Sequence, residues 1–346
     1  MKTSIILLLA ACGSRASTPD PLVDAMAIDG RNVVPDGPDT EVGPQVLVVN
    51  EKRPNSIALH ESHVLWTTDP PLELGKGEVV YLAPDQTFGV LSNNEDHPSA
   101  LAVAQTPNGP VAFWSAMTGL GKLKQIPIFG TTPATTIDVG DVVYSIAADG
   151  DSVFYGTRFR VFKKGTASTA MPTEIAGGYG NGVTAITADA NGVVLGARLL
   201  AGGWIIGAVS RNGGTVTTLG TAPDSAPAIR DVAIVGGDVY WLDRTMLKKA
   251  PRASGAETIV RTFPSTDRPW AMTASGTKLF IATNQGVLNP TGATGHIVEL
   301  DTVTTTFRDL AEGQAEPFDV AADATHVYWV NRGLTATTGQ IMRVAR

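Results

Sequence analysis

The sequence repeats one two-strand pattern seven times, and this repetition constrains the fold more than any other feature. In six copies, an apolar residue at the centre of one short strand is followed nine residues later by an aromatic or apolar residue at the centre of a second strand. These pairs are Ile57 and Trp66, Ile146 and Tyr155, Ile186 and Leu195, Val232 and Trp241, Met272 and Ile281, and Val320 and Trp329. The remaining pair, Leu101 and Trp114, is separated by a four-residue insertion around 107–110.

Successive copies begin 40 to 48 residues apart, which is close to the usual length of a four-stranded propeller blade. Two further strand patterns follow in each unit, for example at 77–82 and 88–91. Charged residues make up only 17% of the chain, and 37 Gly and 22 Pro residues fit short strands joined by tight turns. The sequence therefore predicts an all-β fold, a seven-bladed β-propeller spanning residues 45–346.

The last unit has only three strand patterns, at 318–322, 327–331 and 340–344. The segment 45–50, which precedes the first unit, is a spare strand of suitable length. We expect this segment to close the ring as the outermost strand of blade seven, where it would cover an exposed strand edge.

The first eleven residues have the pattern of an export signal: Lys2 is positive, 5–9 are apolar, and Ala10 and Ala11 are small. The run 9–13 resembles the bacterial lipobox, which implies a signal peptide at 1–11 and lipid attachment to Cys12. By the same resemblance, Gly13 implies sorting to the outer membrane, on either its periplasmic or its cell-surface side. An apolar run this short does not span a bilayer, so attachment would rest on acyl chains alone. The alternative is that Cys12 is a buried or incidental cysteine.

Residues 12–44 are predicted to form a flexible acidic linker after the acylated cysteine. The stretch is rich in Ser, Pro, Asp and Gly, and six acidic residues between 13 and 45 face only two arginines. Such a segment cannot bury enough apolar surface to offset its ordering entropy. Because the net charge is -7 and the chain has no basic run, nucleic acid is not an expected partner, and we expect a monomer.

Three second-strand segments share an aromatic-rich motif: Leu65-Trp66-Thr67-Thr68, Tyr240-Trp241-Leu242-Asp243 and Tyr328-Trp329-Val330-Asn331. They resemble the motifs of YWTD-type and NHL-type propellers. The resemblance implies the propeller architecture over residues 45–346. It does not imply the YWTD ligands, because those propellers usually have six blades and only Asp243 matches their aspartate.

The loops that lead into each first strand and out of each second strand are expected to meet at one mouth of the central channel. Aligning the repeats collects arginines and aromatic residues there. The candidate ligand-binding residues are Arg53, Tyr144, Arg230, Arg268, Trp270, Phe318 and Arg332, with Arg158, Arg198 and Arg244 on the same rim. Guanidinium forks and aromatic faces suit an acidic small molecule, a sugar acid or an acidic segment of a protein partner. The alternative is that each arginine pairs with a local acid such as Asp231, Asp243, Asp319 or Glu316.

No nucleophile elbow, nucleotide-binding loop or reactive cysteine occurs in the body of the chain, and no cofactor is expected. The leading functional hypothesis is a tethered binding module. The alternative is an exported metal-assisted lyase or hydrolase that uses His97, Glu316 and His60 at the mouth.

Two further sets of polar residues have a structural interpretation. His63 and His326 occupy the same place before the second strand, so they are expected to be hairpin residues and not metal ligands. Asp149, Asp189 and Asp323 also share one place, where they are expected to cap turns and not to bind calcium.

Overall fold

The computed structural model describes residues 31–34, 43–71, 76–116, 121–130, 132–253, 256–284 and 294–346. Within these ranges the chain forms 29 strands and no helix. Accordingly, no helix in the described part is long and apolar enough to cross a membrane. The predicted signal peptide, Cys12 and most of the predicted linker lie outside the described residues.

The strands form seven antiparallel sheets, each of which is one propeller blade. Blade one contains β3 (Pro54–His60), β4 (His63–Thr68), β5 (Gly77–Leu82) and β6 (Phe88–Glu95). Blade two contains β7 (Leu101–Thr106), β8 (Gly109–Ala116), β9 (Lys122–Pro127) and β10 (Thr135–Asp138). Blade three contains β11 (Val143–Asp149), β12 (Ser152–Thr157), β13 (Arg160–Gly165) and β14 (Thr173–Gly177). Blade four contains β15 (Tyr179–Asp189), β16 (Gly192–Leu199), β17 (Trp204–Val209) and β18 (Thr217–Ala222).

Blade five contains β19 (Asp231–Val235), β20 (Asp238–Leu242), β21 (Met246–Pro251) and β22 (Thr258–Thr262). Blade six contains β23 (Arg268–Ser275), β24 (Lys278–Asn284), β25 (Gly295–Asp301) and β26 (Thr306–Gln314). Blade seven contains β27 (Pro317–Ala322), β28 (His326–Asn331), β29 (Gly339–Ala345), β2 (Gln45–Glu51) and the short strand β1 (Asn32–Val33). The predicted seven-bladed, all-β propeller is confirmed.

The repeat spacing has a direct structural meaning. In all seven blades, the two residues paired in the sequence repeat lie directly opposite each other on the first and second strands. The second-strand member is at most 2% exposed in every blade. The four-residue insertion in blade two lengthens the first two strands and not the turn between them. Thr106 and Gly109 are still paired, so the turn contains only two residues.

The buried apolar residues form seven clusters, one at each junction between neighbouring blades. At the junction of blades seven and one, for example, Val330 and Ile341 of one sheet pack in the same cluster as Trp66 and Val80 of the next. Each blade therefore buries both of its faces, and its stability depends on both neighbours.

The segment β2 closes the ring as predicted, because it pairs with β29 and supplies the fourth strand of blade seven. It is not the outermost strand, however, since β1 pairs with its other edge. Arg31, just before β1, is 3% exposed and ion-pairs with Glu78 of blade one. Part of the region predicted as linker is thus packed against the propeller.

The outer edges of the blades share an irregularity. In six blades, the pairing between the third and fourth strands shifts by one residue, as in a β-bulge, at one place in three blades and at two places in the other three. The extra residue changes which side chains of the outer strand share a face.

We predict that Leu47→Ala lowers the free energy of unfolding by about 2–5 kcal/mol. Leu47 lies in the closing strand β2 and is 4% exposed within the cluster between blades seven and one. Leu200→Ala is the matched control: Leu200 is 71% exposed, so the change should stay within about 0.5 kcal/mol. Denaturant titration of both variants measures the difference. Equal costs would contradict the role of β2 in closing the ring.

Candidate channel-mouth site

The first strands of the seven blades line a central channel. Two residues before each first-strand centre, one side chain from every blade faces the same cavity of about 380 Å³. This mouth ring consists of Asn55, Ser99, Tyr144, Thr184, Arg230, Trp270 and Phe318. Four candidate ligand-binding residues, Tyr144, Arg230, Trp270 and Phe318, therefore line one cavity.

Arg230 is the most exceptional member of the mouth ring. Its guanidinium carbon lies 4.2 Å from the centre of the Trp270 ring, which is a cation–π contact. Burial, followed by the nearby charge of Arg244, lowers the pKa of Arg230 to about 10, so the side chain is still cationic at neutral pH. Its Nε atom is buried without a hydrogen-bond partner, and no carboxylate among the described residues forms an ion pair with it.

A second cationic group lies across blades seven and one. The guanidinium carbon of Arg332 lies 3.1 Å from the centre of the Phe318 ring, and the Phe318 and Trp270 rings are 4.9 Å apart. Arg332 donates a hydrogen bond to Asn55, whose amide donates to the Pro98 carbonyl at 3.3 Å. Burial, and then the charge of Arg53, lowers the pKa of Arg332 to about 10. Two tilted aromatic rings in contact thus join the partly buried guanidinium of Arg230 to the buried one of Arg332.

The chain bends sharply where it enters several first strands. Four residues before the strand centre, Arg53, His97 and Glu316 have φ values of 55°, 46° and 60°, which are unfavourable for residues with side chains. The backbone N–H groups of Arg53 and Glu316 also donate hydrogen bonds to carbonyls only two residues earlier, those of Glu51 at 3.0 Å and Gln314 at 3.1 Å. Backbone strain of this kind often accompanies functional sites.

Burial raises the pKa of Glu316, and the charges of Arg332 and Arg53 oppose this effect. The Arg53 backbone carbonyl accepts a hydrogen bond from Asp69, and that of Glu316 accepts one from Arg332. Backbone hydrogen bonds therefore join the loop that leads into the first strand to the loop that leaves the second strand, in blades one and seven.

Not every predicted rim arginine is available to a ligand. Arg198 donates to Asp224 through Nε at 2.9 Å and a second nitrogen at 2.6 Å, so this pair neutralises itself. Arg268 donates to the Ser265 carbonyl at 3.1 Å, and Arg158 lies over Phe159. The charge of Arg244 acts on Arg230 and that of Arg53 acts on Arg332, so these four arginines give the mouth its basic character.

The next ring inward contains two aspartates among small residues: Ser56, Ala100, Ser145, Ala185, Asp231, Ala271 and Asp319. Asp231 accepts backbone hydrogen bonds from Val232 at 2.8 Å and from Met272 of the next blade at 2.7 Å. Asp319 likewise accepts from Val320 at 2.9 Å and from Ile57 of the next blade at 2.9 Å. These carboxylates hold adjacent blades together and do not neutralise the arginines.

Burial raises the pKa of Asp231 to about 7 and that of Asp319 to about 6, although the backbone hydrogen bonds act in the opposite direction. The charge of Asp319 further raises the pKa of Asp231. A pKa of about 7 means that a fraction of the Asp231 carboxyl groups carries a proton near neutral pH, and a protonated carboxyl is a hydrogen-bond donor.

Beyond the aspartates, the channel becomes apolar, with Ile57, Leu101, Ile146, Ile186 and Met272 on its wall. A second cavity of about 520 Å³ opens beyond this layer, towards the hairpin turns on the opposite face. The turn interpretation holds there for two of the three aspartates: Asp189 accepts from Asn191 at 2.9 Å and from Gly192 at 3.1 Å, and Asp323 accepts from Thr325 and His326, each at 2.7 Å. The carboxylate of the third, Asp149, forms an ion pair with Arg211 of the next blade.

The three residues considered for metal-assisted catalysis do not form one cluster. His97 Nδ1 lies 2.8 Å from Asp69 Oδ1 at the mouth, where Glu316 also lies. His60 ends β3, at the far end of a seven-residue strand, and its ring lies 6.2 Å from that of Phe129. His63, directly opposite His60, begins β4, and His326 begins β28, as the hairpin interpretation predicts.

No protein family and no curated protein matches this sequence. Solved structures share the fold. The computationally designed protein Ika8 has a TM-score of 0.56 at 17% identity, with 83% of this chain and 82% of that chain covered. A chain from a nidogen/laminin complex has a TM-score of 0.50 at 15% identity, with coverages of 68% and 89%.

A puromycin-hydrolysing peptidase from Mycobacterium tuberculosis has a TM-score of 0.58 at 13% identity, covering 81% of this chain. The present chain spans 50% of the length of that peptidase. At these identities, the three similarities establish the propeller fold alone.

We predict that the contribution of Asp231 to stability falls as pH rises. The pKa is raised above its ordinary value of 3.8 to about 7 in the folded chain, so folding favours the protonated carboxyl. This favourable effect is complete below about pH 4 and is lost between about pH 4 and 7. The free-energy difference between wild type and Asp231→Ser should therefore shift against the wild type over this range. Serine is the matched replacement because Ser56 and Ser145 occupy the same ring.

Denaturant titrations at several pH values measure this difference. A free-energy difference that stays constant from pH 4 to 7 would contradict the predicted proton uptake by the folded channel.

Proposed function

We propose that this propeller is a binding module that takes a small hydroxylated carboxylate, such as a sugar acid, into its channel mouth. The observation that carries the proposal is Arg230, a cation held against Trp270 with a buried Nε atom that has no hydrogen-bond partner. A buried donor without a partner costs about 1–3 kcal/mol. A ligand carboxylate that pairs with the guanidinium would neutralise the charge, and a rotation of the Arg230 side chain would let Nε share that pairing and remove the cost.

The surroundings of Arg230 favour a hydroxylated ligand over a simple anion. Tyr144, Trp270 and Phe318 give the cavity an aromatic lining that a sugar ring can contact, and the cavity of about 380 Å³ is within the size range of small-molecule sites. Asn55, Thr184 and the partly protonated Asp231 offer donors and acceptors for hydroxyl groups. A simple anion without hydroxyl groups would gain no hydrogen bonds to Asp231 and Asp319 in the ring below the mouth.

We further propose that the propeller is presented at the outer membrane by a lipid on Cys12, through the acidic stretch that follows it. The lipobox-like run 9–13 supports this proposal. Because Arg31 forms an ion pair with Glu78 of blade one, the proposed tether would extend from Cys12 only as far as residue 30. A tethered module that captures an acidic sugar needs no catalytic group of its own.

The second candidate is a hydrolase or lyase at the same mouth. The His97–Asp69 pair favours it, because a carboxylate that orients an imidazole is a common arrangement in acid–base catalysis. The fold similarity to a puromycin-hydrolysing peptidase is compatible with it. Arg230 and Trp270 lie in a different part of the mouth and are not explained by this candidate.

We predict that D-glucuronate stabilises the wild-type protein against heat and that Arg230→Gln removes this effect. At about 100 times its dissociation constant, a ligand specific for the native state adds about 2.7 kcal/mol of stability. Arg198→Gln is the matched control, because Arg198 is already paired with Asp224 and should leave binding unchanged. Thermal-shift titration with D-glucuronate, D-glucose and inorganic phosphate separates sugar, acid and simple anion binding.

Equal stabilisation of wild type and Arg230→Gln, or no stabilisation by D-glucuronate, would contradict the proposed site. Turnover of an acidic substrate that disappears in His97→Gln and persists in Arg230→Gln would favour the hydrolase.

We predict that Cys12→Ser abolishes membrane attachment. In cells fed an alkyne-labelled fatty acid, the wild-type protein should carry the label and sediment with outer membranes, because acyl chains would be the anchor. The Cys12→Ser variant should be unlabelled and remain in the soluble exported fraction. An unlabelled wild-type protein would rule out the lipid tether while leaving the channel-mouth proposal intact.

A further inference from the structure

A second group of ligand-type side chains lies on the outer hairpin of blade six, away from the channel wall. His296 is on β25, and Asp309 and Glu312 are on β26. One potential ligand atom from each residue lies within 4.8 Å of the others. Asp309 and Glu312 are exposed, and His296 is half-buried.

The bulge in β26 brings these side chains together. Ile297 pairs with Ala311, but Val298 pairs with Asp309, so Leu310 is an extra residue in the outer strand. Asp309 and Glu312 are three positions apart and would point to opposite faces of a regular strand. The extra residue places them on the same face, and a second register shift lies beside His296, between Gly295 and Ile297.

The chemistry of this group suits a transition-metal ion. An imidazole nitrogen and two carboxylates are ligands of Zn²⁺ and similar divalent ions. His296 Nδ1 and Asp309 Oδ1 are 3.7 Å apart, which is too long for a hydrogen bond. Metal–ligand bonds of about 2.1 Å at tetrahedral angles would separate neighbouring ligand atoms by about 3.4 Å. Small side-chain rotations therefore reach a coordinating geometry.

The equivalent place in blade three shows the ordinary alternative. There Arg160 and Glu174 occupy the positions of His296 and Asp309 and form a salt bridge of 3.2 Å, and Gly177 replaces Glu312. In blade six, His296 stands in place of the arginine. Within the described ranges, neither Asp309 nor Glu312 forms an ion pair with a lysine or an arginine.

We propose that His296, Asp309 and Glu312 form a surface site for a divalent transition-metal ion of the zinc type. The three side chains leave at least one coordination position for water or for a donor atom of a bound partner. The site lies where β25 begins and where β26 leads back towards Glu316, so it is on the periphery of the face that carries the channel mouth. This inference is independent of the sugar-acid proposal.

The test uses the full-length chain carrying Cys12→Ser in every sample, so that the single thiol cannot bind the metal. Calorimetric titration with Zn²⁺ should give one equivalent bound, and Co²⁺ should give the visible absorption of a four- or five-coordinate ion. His296→Gln and Asp309→Asn should each weaken Zn²⁺ binding by at least about tenfold, since loss of even an outer-shell partner costs 10–100-fold.

Glu174→Gln in blade three is the matched control and should bind Zn²⁺ like the wild type. The side chains of His296, Asp309 and Glu174 are partly or fully exposed, and circular dichroism checks that each variant is folded. The proposal fails if the wild type binds no stoichiometric Zn²⁺. It also fails if His296→Gln and Asp309→Asn bind Zn²⁺ as tightly as the Glu174→Gln control.

Discussion

The packing of each blade against both of its neighbours is the interaction on which the rest of the structure depends. Seven apolar clusters lie at the seven junctions, so no blade has a core of its own. Such a ring is stable only if its ends meet, because an unclosed junction would expose one apolar cluster to water. The strand β2 and the final strand β29 supply that closure.

Ring closure also creates the channel site. Each blade contributes one side chain to the mouth ring and one to the ring below it, at fixed distances before the centre of its first strand. Asp231 and Asp319 hydrogen-bond to the backbone of the following blade, so the second ring fixes the spacing of the mouth residues above it. A cation such as Arg230 is held in place by Trp270 of the next blade, and the preorganised pair costs a ligand little ordering entropy.

The sequence was sufficient for the fold because the repeat spacing reflects a local property, the pairing of two strands across a short turn. It also placed Tyr144, Arg230, Trp270 and Phe318 on one cavity, since repeated positions occupy equivalent places around the axis. It could not show which arginines are paired. Asp224 neutralises Arg198 from a loop 26 residues away, and no repeat rule predicts that contact.

Other features depend on details that periodicity does not carry. The bulges in the outer strands shift the pairing by one residue, and only this shift brings Asp309 and Glu312 to one face. Likewise, the acidic composition around Arg31 predicted only a flexible linker, whereas the short strand β1 in this region pairs with β2. The central claim concerns Arg230, and a crystal structure of the protein with D-glucuronate tests it most directly. We expect the ligand carboxylate within hydrogen-bond distance of the Arg230 guanidinium, beside the Trp270 ring. A ligand bound elsewhere, or an Arg230 side chain paired with a protein carboxylate, would contradict it.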